Sequence, residues 1–303
     1  QIRASAERIR ALGFFSNADV ETRQGSAPDQ MIVDVNVTEK PTGSFTFGGN
    51  YSVSDGANLI ASFSEANFLG RGQSLSFSLT TDIDDGSLSF NFVEPAFLGR
   101  DVAFGFSAGL GTSQPGYAEY NIERGYISPR LTFPVSEHGS LTLNYRAEMA
   151  RITDDDDYSD GDPDSYYASQ IVADIDDGWE TTSSVGYSYS YDTRRSDLSS
   201  NSGILFKFGQ DFAGPVGGDI SYTKTSFELT GRTKVWNEEI TLMATLEGGI
   251  LDAGDDSSVA NRYFNSSSII RGFETGGIGP RSTDNDAALG GNYYAVARLD
   301  AQF

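Results

Sequence analysis

The sequence predicts an all-β chain: an antiparallel transmembrane β-barrel preceded by a partial α+β domain. Three observations carry that expectation. From Pro41 onward, apolar residues alternate with small polar ones at a period of two. The apolar positions are rich in large aromatics, 20 Phe and 15 Tyr within a hydrophobic fraction of only 38%. Long acidic or polar stretches alternate with tight turns such as Asp84-Asp85-Gly86.

Up to about Lys40 the pattern is different. Ile2, Ala6, Ile9 and Leu12 or Ala11 recur at helical spacing, and Gly13 stands where a helix C-cap belongs. Phe14 to Arg23 and Gln30 to Thr38 then read as two strands around a Gly-Ser-Ala-Pro turn. Residues 1–40 are therefore expected to be α+β, and residues 41–303 the barrel.

The barrel strands follow in order. Phe45, Phe47, Tyr51 and Val53 alternate with Ser44, Thr46, Asn50 and Ser52; Leu59, Ala61 and Phe63 with Asn58, Ser62 and Ser64. Leu75 to Leu79, Leu88 to Phe92 and Val102 to Leu110 repeat the pattern. One strand fits between Gly125 and Val135. Further dyads lie at Leu141–Ala147, Val185–Tyr191, Ile204–Phe208, Phe227–Leu229, Ile240–Leu246 and Tyr293–Leu299. The expected total is about twelve. A β-sandwich shares the same period with opposite burial, so the aromatics and the loop pattern decide for the membrane. Phe45, Phe63, Phe77, Phe90, Phe104 and Tyr189 are expected to face lipid. Ser76, Ser89, Asn144 and Arg146 are expected to face the lumen.

Composition excludes several function classes. No run approaches the roughly 20 apolar residues that a spanning helix needs, while strands hide from hydropathy averages, so the mean hydropathy of -0.34 does not argue against a membrane. A net charge of -22 repels phosphate and makes nucleic acid an unsuitable partner. With one His and no Cys, most hydrolytic and metal chemistries lack parts, so neither an enzyme, a cofactor nor a metal is expected. The run Asp154–Asp164 looks like a cation loop, but Tyr158 and Tyr167 occupy positions where an EF-hand needs ligands. It reads as a solvated surface loop. His138 follows Glu137 in an expected turn.

The most specific signal is a set of four segments in order: the Asn/Ser-rich Asn265–Ser268, Ile270-Arg271-Gly272-Phe273, Ile278-Gly279-Pro280, and Leu289-Gly290-Gly291-Asn292. Together they resemble the long sixth extracellular loop of the BamA family, the outer-membrane β-barrel assembly insertases. The order helix, Leu12-Gly13-Phe14-Phe15, strand, turn, strand, Glu39-Lys40-Pro41 is similar to the second half of a polypeptide-transport-associated (POTRA) domain, which in that family leads into the barrel. The resemblance implies sixteen strands in all, of which about twelve are in this chain. It also implies further chain at both ends, with residues 1–40 periplasmic and the barrel in the bacterial outer membrane.

The function it implies is folding and insertion of β-barrel proteins through a lateral seam between first and last strands. The expected partners are unfolded outer-membrane clients, accessory lipoproteins, and outer-membrane lipid and lipopolysaccharide. A two-partner secretion or translocation-module pore would share the loop motif and the POTRA; a passive porin would have neither. In the family the Arg of the loop motif docks on the inner wall, so Arg271 is expected to reach Asp300, which aligns with the family's wall acid in Ala297-Arg298-Leu299-Asp300. Gly272 would permit a tight turn and Phe273 would pack on the wall. The seam strand would be Gly43, Phe45, Phe47, Gly48, Gly49 and Tyr51. Its two adjacent glycines either weaken pairing or accommodate curvature.

Overall fold

The computed structural model describes residues 9–302 except 11, 28, 53–55, 82–85, 114–119, 155–168, 195–201, 237–238, 255–256, 266–268, 271, 274–275 and 284. The helix expected before Gly13 is described only at Ile9 and Arg10, and 155–164 of the acidic run lies outside the described residues. Gly13 adopts φ +75° and its N–H donates to Arg10 O, as a C-cap should.

β1 (Phe15–Gln24) and β2 (Met31–Glu39) form a separate antiparallel hairpin. One large sheet follows, built from β3 (Gly43–Ser52), β4 (Gly56–Phe68), β5 (Gln73–Thr81), β6 (Gly86–Glu94), β7 (Ala103–Ser113), β8 (Tyr120–Pro134), β9 (Gly139–Asp154), β10 (Glu180–Asp192), β11 (Gly203–Val235), β12 (Ile240–Asp252) and β13 (Tyr293–Gln302). Each element pairs antiparallel with its neighbours in sequence, from β3 at one edge to β13 at the other. The sheet elements are 9 residues or longer, and about 3.3 Å per residue lets nine cover some 30 Å.

The 33-residue β11 is itself a hairpin. Its first arm pairs with β10 and its second with β12. The arms face each other: Lys207 Nζ donates to Glu228 Oε2 at 3.0 Å and Gln210 Nε2 to Thr225 Oγ1 at 3.0 Å. The chain reverses at Gly214, Gly217 and Gly218, all at positive φ that other residues resist. Counted by arms, the sheet holds the twelve strands expected. Among the described residues β3 and β13 share no ladder.

Opposed residues in a ladder point to the same face, so the register fixes sidedness. Phe45, Phe63, Phe77, Phe90, Ala108, Ile127 and Ala147 form one row across β3 to β9, and Phe104 and Tyr189 share that outer face. Aromatic pairs stud it, including Phe90–Phe106 and Tyr189–Phe206 with ring centroids 6.2 and 6.4 Å apart. The opposite face is polar and knitted by hydrogen bonds. Ser78 and Ser89 hydroxyls lie 2.7 Å apart, Arg130 Nη1 donates to Ser107 Oγ at 2.8 Å, and Asn144 Nδ2 donates to Asp211 Oδ1 at 2.9 Å. The expected alternation therefore holds strand by strand. Among the described residues a buried apolar core lies at one end of the inner face, where Tyr120, Ile122 and Ile152 meet α1 (Ser169–Asp176) through Ile171 and the β12–β13 connection through Val259 and Leu289.

Candidate functional site

Counting β11 as two strands, the connection 253–292 between β12 and β13 is the sixth on its side of the sheet. It does not extend away from the sheet but runs along the inner face. A short turn, Val259–Asn261, is capped by Ser258, whose hydroxyl accepts from Ala260 N. Tyr263 then bridges to Gly291 with N–H···O bonds of 2.9 and 2.8 Å in both directions, closing the connection at its neck. Arg262 ties the same neck: its guanidinium donates to Ser257 O at 2.6 Å and to Leu289 O at 3.3 Å. The Tyr263 ring stands directly over Gly249 of β12, where a Cβ would come within 2.6 Å of it. Only glycine leaves that space. Burial pushes the Tyr263 hydroxyl up to about 12, so it stays protonated and donates to Thr225 O at 3.3 Å.

Further along, the connection meets the wall of β13. Val296 is 7% exposed while Leu299 is 77% exposed, which puts Tyr294, Val296, Arg298 and Asp300 on the inner face as expected. Arg298 forms an ion pair with Glu247 of β12 at 3.5 Å and donates to Ile269 O at 3.4 Å. Ile269 and Ile270 line a cavity of about 1170 Å³ together with Arg298, Asp300, Arg232 and Met243. Of the four motif residues, Ile270 lines this cavity, and Asp300 lines it from the wall. Arg271 itself lies outside the described residues. Gly272 adopts φ +91°, and Phe273 is 52% exposed rather than packed on the wall.

The second feature is the edge at β3. Its pairing with β4 runs without a break from Gly43↔Glu65 to Ser52↔Gly56, straight through Gly48↔Ile60 and Gly49↔Leu59. On that side the glycines do not interrupt the ladder. The other side of β3 has no ladder partner among the described residues. Phe45, Phe47 and Tyr51 are largely exposed on the outer face.

Several contacts on the inner face escape sequence reasoning. Arg124 Nε sits 2.9 Å from Glu148 Oε1, Arg146 binds the same carboxylate, and the Arg146 guanidinium lies 4.0 Å above the Tyr126 ring. Lys224 donates to Asn261 O at 3.0 Å and faces the Tyr263 ring at 4.5 Å. Asp174 of α1 accepts from Val259 N at 2.8 Å and Ser258 Oγ at 3.3 Å. Burial pushes the Asp174 carboxyl above its usual range, against the pull of those two donors. Only the helical spacing of Ile171, Val172 and Ile175 could have flagged α1 in advance. His138 lies in the β8–β9 turn, edge-on to Tyr191 at 6.1 Å. Among the described residues no group of three or more His, Asp or Glu side chains is placed to hold a metal ion.

The comparisons with known proteins agree with this architecture. The Omp85 superfamily domain matches residues 67–303. The chain is similar to outer membrane protein assembly factor BamA of Neorickettsia risticii, 27% identical over 98% of this chain and 39% of that protein. It is also similar to BamA of Nitratidesulfovibrio vulgaris, 25% identical over 99% of this chain and 37% of that protein. The human sorting and assembly machinery component 50 homolog is 28% identical over 97% of this chain and 61% of its own length. The chain thus spans well under half the length of these bacterial relatives. Among solved structures, BamA from Haemophilus ducreyi lacking POTRA domains 1–3 superposes with a TM-score of 0.68 at 18% identity, covering 99% of this chain and 60% of that one. CdiB from Acinetobacter baumannii gives 0.56 at 11% identity over 100% and 55%. These two show the shared fold. With an open antiparallel sheet, an inner-face sixth connection and a domain match over most of its length, the chain belongs to the Omp85 superfamily.

Proposed function

We propose that the chain is the membrane part of an outer-membrane protein assembly factor, which folds β-barrel clients by strand addition at its open edge. The observation that carries this reading is the similarity to bacterial assembly factors over nearly the whole chain; β3, a ten-residue strand with a ladder on one side only among the described residues, is where the seam to the last barrel strand would fall. Alternate residues of an antiparallel strand aim their N–H and C=O to the same side, so about five donors and five acceptors face the free edge. In lipid each such unsatisfied group costs several kcal/mol, a strong drive to add another strand. An incoming client strand satisfies them by β-augmentation. The work is physical rather than catalytic; no covalent step is needed.

The assembly-factor names of the bacterial relatives, at 25–27% identity over nearly the whole chain, support this reading over a secretion pore. The likeness to CdiB, at 11% identity, is one of fold. The β1–β2 hairpin and its Gly13 cap support reading residues 1–40 as the end of a POTRA domain. On that reading the end of the sheet bearing the hairpin faces the periplasm, and the outer face of β3 to β13 meets outer-membrane lipid. Accessory lipoproteins and lipopolysaccharide are the further partners proposed. The cavity shared by Ile269, Ile270, Arg298 and Asp300 supports the docking of the Ile270–Phe273 motif, with Arg271 drawn to Asp300.

The test uses the whole protein. Paired cysteines that lock β3 to the last barrel strand should stop insertion of client barrels, and reduction should restore it. Normal insertion under a complete lock would defeat the seam.

A further inference from the structure

The inner-face connection is held far from the Ile270–Phe273 motif as well as near it. Its Val259–Asn261 turn is approached from three elements that share no sequence neighbourhood. From above, α1 supplies Asp174, whose carboxylate takes the Val259 N–H at 2.8 Å and the Ser258 hydroxyl at 3.3 Å. From the wall, Lys224 of β11 donates to Asn261 O at 3.0 Å, and Arg124 of β8 donates to Ala260 O at 3.4 Å. The carbonyls that leave this turn have no ladder partner, and the two cations meet them; an ammonium away from water needs such acceptors. Apolar contact closes the arrangement, with Ile171 and Val259 buried against Tyr120, Ile122, Ile152 and Leu289.

We infer that the Val259–Asn261 turn is a second anchor of this connection, gripped by Asp174 from the β9–β10 connection and by Lys224 and Arg124 from the wall. Asp174, Lys224 and Arg124 are its positioning residues. The turn then stays docked whether or not the Ile270–Phe273 motif is engaged, and α1 moves with it as one unit. This rests on the assembly-factor reading only for its consequence in client insertion, not for the anchor.

Hydrogen exchange of the peptide 257–263 in the full-length protein in outer-membrane vesicles reads the anchor directly. Asp174→Ala and Lys224→Met should speed exchange there at least tenfold. Asp174→Asn keeps an oxygen that accepts from Val259 N, and should stay within about twofold of the parent. Arg271→Ala should leave this peptide protected. Asp174 lies outside the sheet, so its variants leave the ladders intact, and 139–150 of β9 serves as the internal reference. Unchanged exchange at 257–263 in both Asp174→Ala and Lys224→Met overturns the anchor, as does equal loosening by Arg271→Ala. Faster exchange with normal client insertion keeps the anchor and removes the connection's role in assembly.

Discussion

Replacing Glu148 with glutamine should reveal how much the polar inner face contributes to stability. The carboxylate is shared by two guanidiniums, Arg124 at 2.9 Å and Arg146 through its Nε at 2.8 Å and its Nη2. Its side chain is 12% exposed, while those of Arg124 and Arg146 are 38% and 34% exposed. Breaking a fully buried pair costs about 3–5 kcal/mol because a charge is left uncompensated. Exposed pairs are worth only about 0–1 kcal/mol. A carboxylate that is well covered, with partners a third open to water, falls between these limits. Arg146 also keeps its seat on the Tyr126 ring after the change, which retains part of its stabilisation. The expected loss is therefore about 2 kcal/mol. Urea unfolding from lipid vesicles measures it, and a double-mutant cycle with Arg146→Gln isolates the pair, with a coupling of about 1 kcal/mol expected. A loss under about 0.5 kcal/mol with no coupling would mean that luminal water screens the cluster and that the inner face is held by its backbone ladders alone.

Three further outcomes follow from sidedness and from the inner-face connection. Phe77→Arg places a charge on the lipid face and should cost about 2–4 kcal/mol near the midplane, whereas Ser78→Arg should cost much less; equal losses in vesicle unfolding would invert the face assignment. Gly249→Val puts methyl groups where the Tyr263 ring sits, 2.6 Å from the Cβ position, and should expel that ring without unfolding the sheet. Loss of Tyr263 protection against iodination or nitration, with unchanged ladder exchange, is the expected reading; a Tyr263 still shielded would refute the contact. Arg271→Ala should loosen the motif and lower client insertion, at a cost of up to about 3 kcal/mol if its partner carboxylate is partly buried, and Arg271→Lys should recover only part. Full insertion activity in the Ala variant would remove Arg271 from the mechanism.

What the sequence reveals here follows from what each structure depends on. A strand with one lipid face and one wet face must alternate, so sidedness could be read from Phe77, Ser78 and Leu79 directly. Strand ends were harder. The first β11 arm extends through Gln210 and Asp211, past the expected Ile204–Phe208, because backbone pairing tolerates any side chain that has an inner-face partner, here Asn144 for Asp211. The same holds at Tyr120 to Arg124 of β8, ahead of the strand expected from Gly125. The Gly290-Gly291-Asn292 segment precedes β13, where Gly291 is taken by Tyr263. Asp300 was legible as an inner-face residue, through period two and a family pattern. Arg124, Lys224 and Asp174 were not: their partners are backbone atoms of a distant turn, and a carbonyl carries no mark in the sequence.

The unbroken pairing of β3 with β4 has a consequence for whatever binds the opposite side. The pleat of β3 is already fixed, with Phe45, Phe47 and Tyr51 directed one way and Ser44 and Thr46 the other. A newcomer on the free side must adopt the same phase, because its alternate residues are forced to agree with those across from them. On the proposed strand-addition function, the edge therefore sets the phase of an added strand as well as its place. It works as a reading frame: a segment that settles one residue out of phase would turn its apolar side chains toward water and its polar ones toward hydrocarbon. On that reading such a segment is disfavoured by the lipid itself, before any later strand of the newcomer has formed.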